Sequence, residues 1–366
     1  MFLVITRNFP PDIGGIQMLM GGLSSSLTDH GPVKVFADDY PNSNTYDIKS
    51  TMDIERIKGI KIFRKYRKAN LVNKFINENP DITAIFADHW KSLELIKIEF
   101  LKKTKIFCLL HSKEINHEIG SLLNKRIIKS INKANFAIAN SNFTKDLAIK
   151  IGINPSKIRV IFPGIKPPKI IESKFKIKAE EIFKDSFPKI ITVARLEKRK
   201  GHDKILMSLK NLKAKFPNIK YISIGSGDEE NNLKKLSKEL AIEKEVVFLK
   251  NIEENLKTAL IANSNLFLMP TRIDKKSVEG FGISYVESAS YGVGSIGGKD
   301  GGASDAILHN KTGLLCDGND LNSIYESIIN FFSNDRFNKF GEAAQKFSEN
   351  FHWNKIVKNY LDLINE

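Results

Sequence analysis

Two doubly wound α/β domains of similar size, set either side of a cleft, are what the pattern of this chain implies. At 366 residues it is too long for one ordinary domain and about right for two. Short apolar runs alternate with helical patterns from one end to the other. The alternation breaks once, over residues 164–186, and then resumes.

The runs at 2–6, 33–37, 83–87, 105–110, 135–139 and 157–161 are short, apolar and bounded by polar turns, so they predict buried strands. Between the first two, Ile16, Leu19, Met20, Leu23 and Leu27 follow helical spacing, as does the stretch 122–131. Strand–helix alternation predicts parallel sheets with helices on both faces. Pro167-Pro168 and a run of Lys and Glu without a strand signal predict a linker over 166–186. Strands restart at 189–193, 219–224, 245–249, 266–269 and 293–296. The expected division is therefore 1–165, a linker over 166–186, and 187–350. The tail from Leu321 reads as three helices, the last of which, 351–366, is expected to pack back on the first domain.

Hydrophobic residues make up 42% of the chain, enough for packed cores. No window approaches about eighteen consecutive apolar residues, so no spanning helix is expected. The start, Met1 to Arg7, lacks the basic and long apolar regions of a signal peptide and reads as a buried strand. Cys108 and Cys316 lie in apolar runs far apart, with neither disulfide-framework nor zinc spacing, which suits two core thiols in a reducing cytoplasm. Net charge is +15 and uneven: residues 1–165 hold 25 Lys/Arg against 15 Asp/Glu. That balance favours phosphates, nucleic acid or an anionic membrane surface, or reflects a chain rich in Lys throughout.

Open α/β sheets bind ligands at the carboxyl ends of their strands, so chemistry is sought there. Gly14 and Gly15 follow the first strand and open a helix, an arrangement that brings free amides close to an anion or else serves a tight turn. Arg195 leaves the strand at 189–193, and Lys200-Gly201 follows five residues later. Two cations there neutralise a diphosphate, one through a fork and one as a point charge, unless the run is a solvated surface. Glu279-Gly280-Phe281-Gly282-Ile283 leads toward Glu287 in what reads as a helix start. One carboxylate is placed for sugar hydroxyls and the other for ribose hydroxyls, with amides toward phosphate; simple capping by Glu279 is the plainer reading. His111, with Glu114, follows the strand at 105–110 and is a candidate to orient substrate or move a proton, or a structural histidine. Gly292-Val293-Gly294-Ser295-Ile296-Gly297 matches the G-x-G-x-x-G spelling by chance, since it follows a helix and contains a strand.

These pieces, in this order, resemble family 4 of the retaining glycosyltransferases, which have the GT-B fold. The resemblance spans nearly the whole chain. E-x7-E is met by Glu279 and Glu287, and R-x4-K-G by Arg195, Lys200 and Gly201. Gly14-Gly15, Ser141 to Thr144, Gly225 to Asp228, Gly301-Gly302 and Thr312 to Leu314 complete it. Departures are Ala194 for a Gly before the arginine, Gly294 for a Pro, Asp305 for a Glu and Lys166 for an Asp. They lie around the donor pocket's edge. The resemblance implies that Arg195 and Lys200 stabilise the leaving diphosphate and that Glu287 holds the ribose. Glu279, Gly280 and the amides of Phe281, Gly282 and Ile283 hold the donor sugar, with Gly225 alongside. Gly15 approaches the distal phosphate and His111 sits near the anomeric carbon. It also implies retention, metal independence and no other cofactor, with a UDP-sugar as donor in preference to a GDP-sugar.

Residues 56–74 carry eight Lys/Arg and no acid, interleaved with apolar and aromatic residues. This is the composition of a membrane-surface segment, worth about 1 kcal/mol per basic residue near anionic lipid, or of a solvated basic face. Lys61, Arg64, Lys65, Arg67 and Lys68 are its expected contacts. The expectation is a peripheral enzyme on the cytoplasmic face of the membrane, acting on a lipid or lipid-linked acceptor such as diacylglycerol or a polyprenyl-diphosphate glycan. A soluble, lipopolysaccharide or capsule acceptor is the alternative. A basic nucleic-acid-binding protein is the competing class, and nucleic acid is not the expected partner.

Overall fold

The computed structural model describes residues 1–98 and 101–366. They form two compact units, one of Met1–Lys166 with Phe351–Glu366 and one of Pro167–Asn350. Each is built on a wholly parallel sheet.

The first unit has seven strands: β1 (Phe2–Ile5), β2 (Val33–Asp38), β3 (Asp53–Ile57), β4 (Ala84–Ala87), β5 (Lys105–Leu110), β6 (Phe136–Ala139) and β7 (Ile158–Val160). Their order is β3-β2-β1-β4-β5-β6-β7. In the register of β1, Val4 pairs with Val35 on one side and Phe86 on the other. β1, β4 and β6 are buried at every position. They read as unbroken apolar runs because helices cover both faces of the sheet. Leu3 and Ile5 enter the core on one face, Phe2 and Val4 the core on the other.

The second unit has six strands: β8 (Lys189–Val193), β9 (Lys220–Ile224), β10 (Val246–Leu249), β11 (Leu266–Met269), β12 (Ser295–Gly298) and β13 (Gly313–Cys316). Their order is β10-β9-β8-β11-β12-β13. Both sheets therefore reverse their winding at one place, between β1 and β4 and between β8 and β11. Strand ends at such a switch point diverge and leave room for a ligand.

Three features differ from expectation. β3 and β13 lie at sheet edges and were not anticipated: Asp53-Ile54-Glu55-Arg56-Ile57 is mostly charged, because an edge strand has less surface to bury. β12 begins at Ser295, two residues later than its apolar run suggested. The segment expected as linker contains a helix, Ser173–Phe183, whose Phe175, Ala179 and Phe183 are buried and which packs on the helix Glu254–Ala262. Its lysines and glutamates are the exposed stripe of an amphipathic helix.

The C-terminal helix Trp353–Asn365 completes the first unit. Trp353, Ile356, Val357, Tyr360 and Leu363 join the core that holds Phe2, Val4 and Leu19. Its approach is set by the Trp353 indole, which lies where a Cβ on Gly22 would stand, 2.2 Å from Nε1. The chain enters this helix through Ile165, which donates its N–H to Phe351 (2.7 Å) and accepts from the Trp353 N–H (3.1 Å).

Candidate active site

In the second unit the loops after β8, β9 and β11 run together at the switch point. Ala194 donates to the carbonyl of Ile224 (3.0 Å) and Leu196 to that of Ser226 (3.0 Å), which binds the β8 and β9 loops to each other. Gly225 permits this: its φ is +153°, and a Cβ there would lie 2.0 Å from the Ala194 oxygen. The chain then makes a 3-10 turn, Lys198–Lys200, and starts the helix His202–Leu212. Arg272, after β11, donates its N–H to the Arg199 carbonyl (2.9 Å) and forks onto Asp203 (3.0 and 2.9 Å).

This framework brings a line of five charges together. Arg195 pairs with Glu197 (3.0 Å), Glu197 with Arg199 (2.9 Å), and Arg199 with Glu279 (2.7 Å), while Lys200 closes the line on the same Glu279 oxygen. Lys200 also lies 3.7 Å from the sulfur of Met269 at the end of β11. The side chains of Lys200 and Glu279 are 9% and 12% exposed, whereas Arg195 is 75% exposed. The inner cations are thus held by protein and Arg195 faces outward. Burial pushes the Glu279 carboxyl up, but the charges of Lys200 and Arg199 overcome it and hold the group at about 2. Glu279 is an ionised carboxylate at any working pH.

Glu279 neither caps nor belongs to a helix. The helix that follows is Ile283–Ala289, with Gly282 as its first flanking residue at φ +87°. A Cβ at Gly282 would meet the Tyr285 ring at 2.5 Å, so the left-handed turn that sends Glu279 back toward Lys200 needs glycine. Gly302 donates its N–H to the Glu279 carbonyl (2.9 Å) and fixes the loop from the far side. Glu287 lies within that helix and does not meet Glu279's cations. Burial raises its pKa, the nearby Lys257 partly offsetting this and Glu254 adding to it.

The remaining candidates belong to the first unit. Gly14 and Gly15 open the helix Gly15–Leu27, and nothing lies within 4 Å of a Cβ built on Gly15. His111 directly follows β5. Its Nε2 bonds the Asp88 carbonyl (2.9 Å), and its side chain and that of Glu114 form a reciprocal capping box at the start of the helix Ser112–Ile115. Burial lowers the His111 pKa, against the opposing effect of Asp88. The neutral ring carries its proton on Nε2, donates it to the Asp88 carbonyl and so holds the loop after β5. Burial likewise raises Glu114 to about 8.

Sequence reasoning missed Arg199, Glu197 and Asp88. Asp88 directly follows β4 at the switch point and is 1% exposed. It accepts from Thr6 Oγ1 (3.0 Å), the Arg7 N–H (2.9 Å) and Ser92 Oγ (2.6 Å). Its position at a strand end was the available signal. Arg199 had none, because only the fold brings Glu279 to it.

The basic stretch 56–74 is not one surface. Its core is the helix Lys61–Glu78. Lys68, expected on the membrane face, is buried: its ammonium bonds the Thr6 carbonyl (2.5 Å) and pairs with Asp38 (2.5 Å). Arg56 is likewise inside, held by Asp47 (2.7 Å) and the Pro10 carbonyl (2.5 Å). Arg64 and Arg67 are half-buried, bonded to the carbonyls of Gly59 (2.9 Å) and Ile60 (3.1 Å). Lys61 and Lys65 remain exposed beside Ile60, Ile62, Phe63 and Tyr66, each of these four at least half exposed. Among the described residues no helix is long and apolar enough to cross a membrane.

Comparison with known proteins decides the class. Residues 13–168 match the model of Glycosyltransferase Family 4, and residues 173–350 match Glycosyl transferases group 1. This chain is a glycosyltransferase. The GDP-mannose-dependent alpha-(1-6)-phosphatidylinositol monomannoside mannosyltransferase of Mycolicibacterium smegmatis is 23% identical to it over 344 residues, covering 91% of this chain and 90% of the relative. The GDP-mannose-dependent monoacylated alpha-(1-6)-phosphatidylinositol monomannoside mannosyltransferase of Corynebacterium glutamicum is 25% identical, covering 89% and 87%. Among solved structures, Anabaena Alr3699/HepE in complex with UDP superposes with a TM-score of 0.82 at 18% identity, covering 100% of this chain and 99% of that one. The glycosyltransferase therefore has the GT-B fold, with a Rossmann-like sheet in each unit. Its Arg195, Lys200 and Glu279 stand together in the group 1 half, while Gly14, Gly15 and His111 stand in the family 4 half.

Proposed function

We propose that the enzyme transfers a hexose, with retention at the anomeric carbon, from a nucleotide-diphosphate sugar to a lipid or lipid-linked acceptor. The observation that carries the donor half is the Arg195–Glu197–Arg199–Glu279–Lys200 line at the β8/β11 switch point. Arg195 offers an exposed fork to the diphosphate, and Lys200, held by Glu279, adds a fixed positive charge. Glu279 keeps lone pairs for the donor sugar's hydroxyls, Glu287 serves the ribose, and the open space at Gly15 admits the distal phosphate.

The bond from the anomeric carbon to the diphosphate oxygen breaks, and the electron pair leaves with the nucleoside diphosphate. The acceptor hydroxyl attacks from the face being vacated and forms the new glycosidic bond. Its proton passes to the leaving phosphate. This route requires no side-chain base, which agrees with the His111 ring being tied up on both sides. The protein's own cations perform the charge neutralisation, so turnover persists in EDTA.

The mannosyltransferase relatives are named for GDP-mannose and for phosphatidylinositol-based acceptors. They support the lipid acceptor and move GDP-mannose ahead of the UDP-sugars as the first donor to try. The exposed Lys61, Ile62, Phe63, Lys65 and Tyr66 support peripheral attachment to an anionic membrane on its cytoplasmic face. The test is a donor screen by thermal shift with GDP-mannose and UDP-hexoses, followed by transfer of radiolabelled sugar to phospholipid, with the anomeric configuration read by NMR. No melting shift and no transfer with any donor would overturn the reading, and an inverted anomer would overturn retention.

A further inference from the structure

The first unit contains a cavity of about 300 Å³ framed by the loop after β1, the end of β2, the segment after β4, the helix Leu122–Ile131 and the basic helix Lys61–Glu78. We propose that this cavity binds the phosphoryl group of a lipid-anchored phosphate ester, the anionic head of the acceptor. The proposal rests on the lipid-acceptor reading above and deepens it.

Charge is the first argument. Seven basic and two acidic side chains line the cavity. Both acids are already used, Asp38 by Lys68 (2.5 Å) and Glu94 by Arg126 (2.7 Å). Arg7, Lys61, Arg64, Lys65 and Lys91 are left without a matching carboxylate among the lining residues. Burial lowers the Lys91 pKa, and Arg7, Arg126 and Lys65 all lower it further, with only Glu94 opposing. A site that sets cations against one another gains from a bound anion, and five unmatched charges exceed what one carboxylate would neutralise.

Shape and chemistry narrow the anion. Ile62, Leu95, Ile96 and Leu123 supply apolar wall beside the cations. No aromatic side chain is among the lining residues, so there is nothing for a nucleobase to stack on. The lining residue Ile62 is 70% exposed, and Phe63 and Tyr66 beside it on the helix are also exposed, so an alkyl chain leaving the cavity meets apolar surface. A phosphate ester with an aliphatic tail satisfies both walls at once.

The test is calorimetric titration of the full-length enzyme with dihexanoyl phosphatidic acid below its micelle concentration, with dihexanoylglycerol and with inorganic phosphate. The phosphatidic acid is expected to bind, the uncharged glycerolipid not to, and Arg7→Gln with Lys91→Gln to weaken binding about tenfold or more. Arg7 and Lys91 are exposed, so both substitutions are expected to leave the melting temperature in place, and Lys65→Gln is an independent check. Equal binding of the uncharged lipid, or wild-type affinity in the variants, would overturn the proposal. Inorganic phosphate binding as tightly as the lipid would overturn its lipid part and assign the cavity to free phosphate. Binding of GDP and UDP to the wild type, measured separately, reports on the donor half, so the two readings fail independently.

Discussion

The Lys200 ammonium and the Arg199 guanidinium share one oxygen of Glu279, so a single carboxylate holds two buried cations at the end of β8. Removing it strands Lys200 and leaves Arg199 with Glu197 alone. Glu279→Gln is expected to destabilise the second unit by about 3–5 kcal/mol and to reduce turnover on the order of a hundredfold or more. Arg199→Ala is expected to cost less stability, because Lys200 still satisfies the carboxylate. Chemical denaturation and steady-state transfer rates measure both, and a Glu279→Gln protein of wild-type stability would contradict the pairing.

Six groups shape the pH profile of stability. His89 at about 2, His202 at about 4 and the depressed His111 stay neutral in the fold, while their unfolded value is 6.5. The unfolded chain therefore takes up protons first, and stability falls as pH drops below 6.5. Glu114 runs the other way: raised from 4.5 to about 8, its contribution is full below 4.5 and is lost as pH climbs to 8. Glu287, also raised, adds to that loss. Glu279, depressed to about 2, matters only below 4.5. Three imidazoles outweigh the carboxyls on the acid side, so the melting temperature is expected to peak near pH 6.5 and decline toward 8. Glu114→Gln is expected to flatten the alkaline limb; a wild-type curve still rising at pH 8 would contradict this.

Gly22 and Gly15 lie on one helix with opposite surroundings. Gly22→Ala drives a methyl into the Trp353 indole and is expected to cost about 1–3 kcal/mol. Gly15→Ala meets open space and is expected to change stability by less than about 0.5 kcal/mol while lowering donor turnover, since the methyl occupies room assigned to the distal phosphate. Melting curves beside donor kinetics separate the two effects.

Membrane attachment is expected to depend on Lys61 and Lys65 and not on Lys68. Neutralising each exposed lysine should weaken partitioning onto anionic vesicles by about 1 kcal/mol, and Phe63→Ser should weaken it further. Lys68→Gln should instead lower the melting temperature, because it leaves Asp38 facing the cavity without its cation. Co-sedimentation with phosphatidylglycerol vesicles, compared with phosphatidylcholine, measures the first effect.

Much of this protein is legible along the chain. Burial on both faces makes the central strands continuous apolar runs, so eleven of the strands in the two sheets announce themselves. Arg195, Lys200 and Glu279 follow such runs, and strand ends in an open parallel sheet are where ligands bind. What the period of hydrophobicity does not carry is which loop faces which. Arg199 and Glu279 are 80 residues apart and meet because β8 and β11 are neighbours. The same holds for Lys68, which reads as one more surface lysine until the Asp38 carboxylate and the Thr6 carbonyl turn it inward, and for His111, whose ring is claimed by Asp88 on the neighbouring strand's loop. The sequence by itself determined how many sheets form and which residues stand at their ends, because those depend on local burial. The tertiary structure alone decided which charges are paired and which stay open to a substrate, because that depends on contacts between segments the sequence keeps apart.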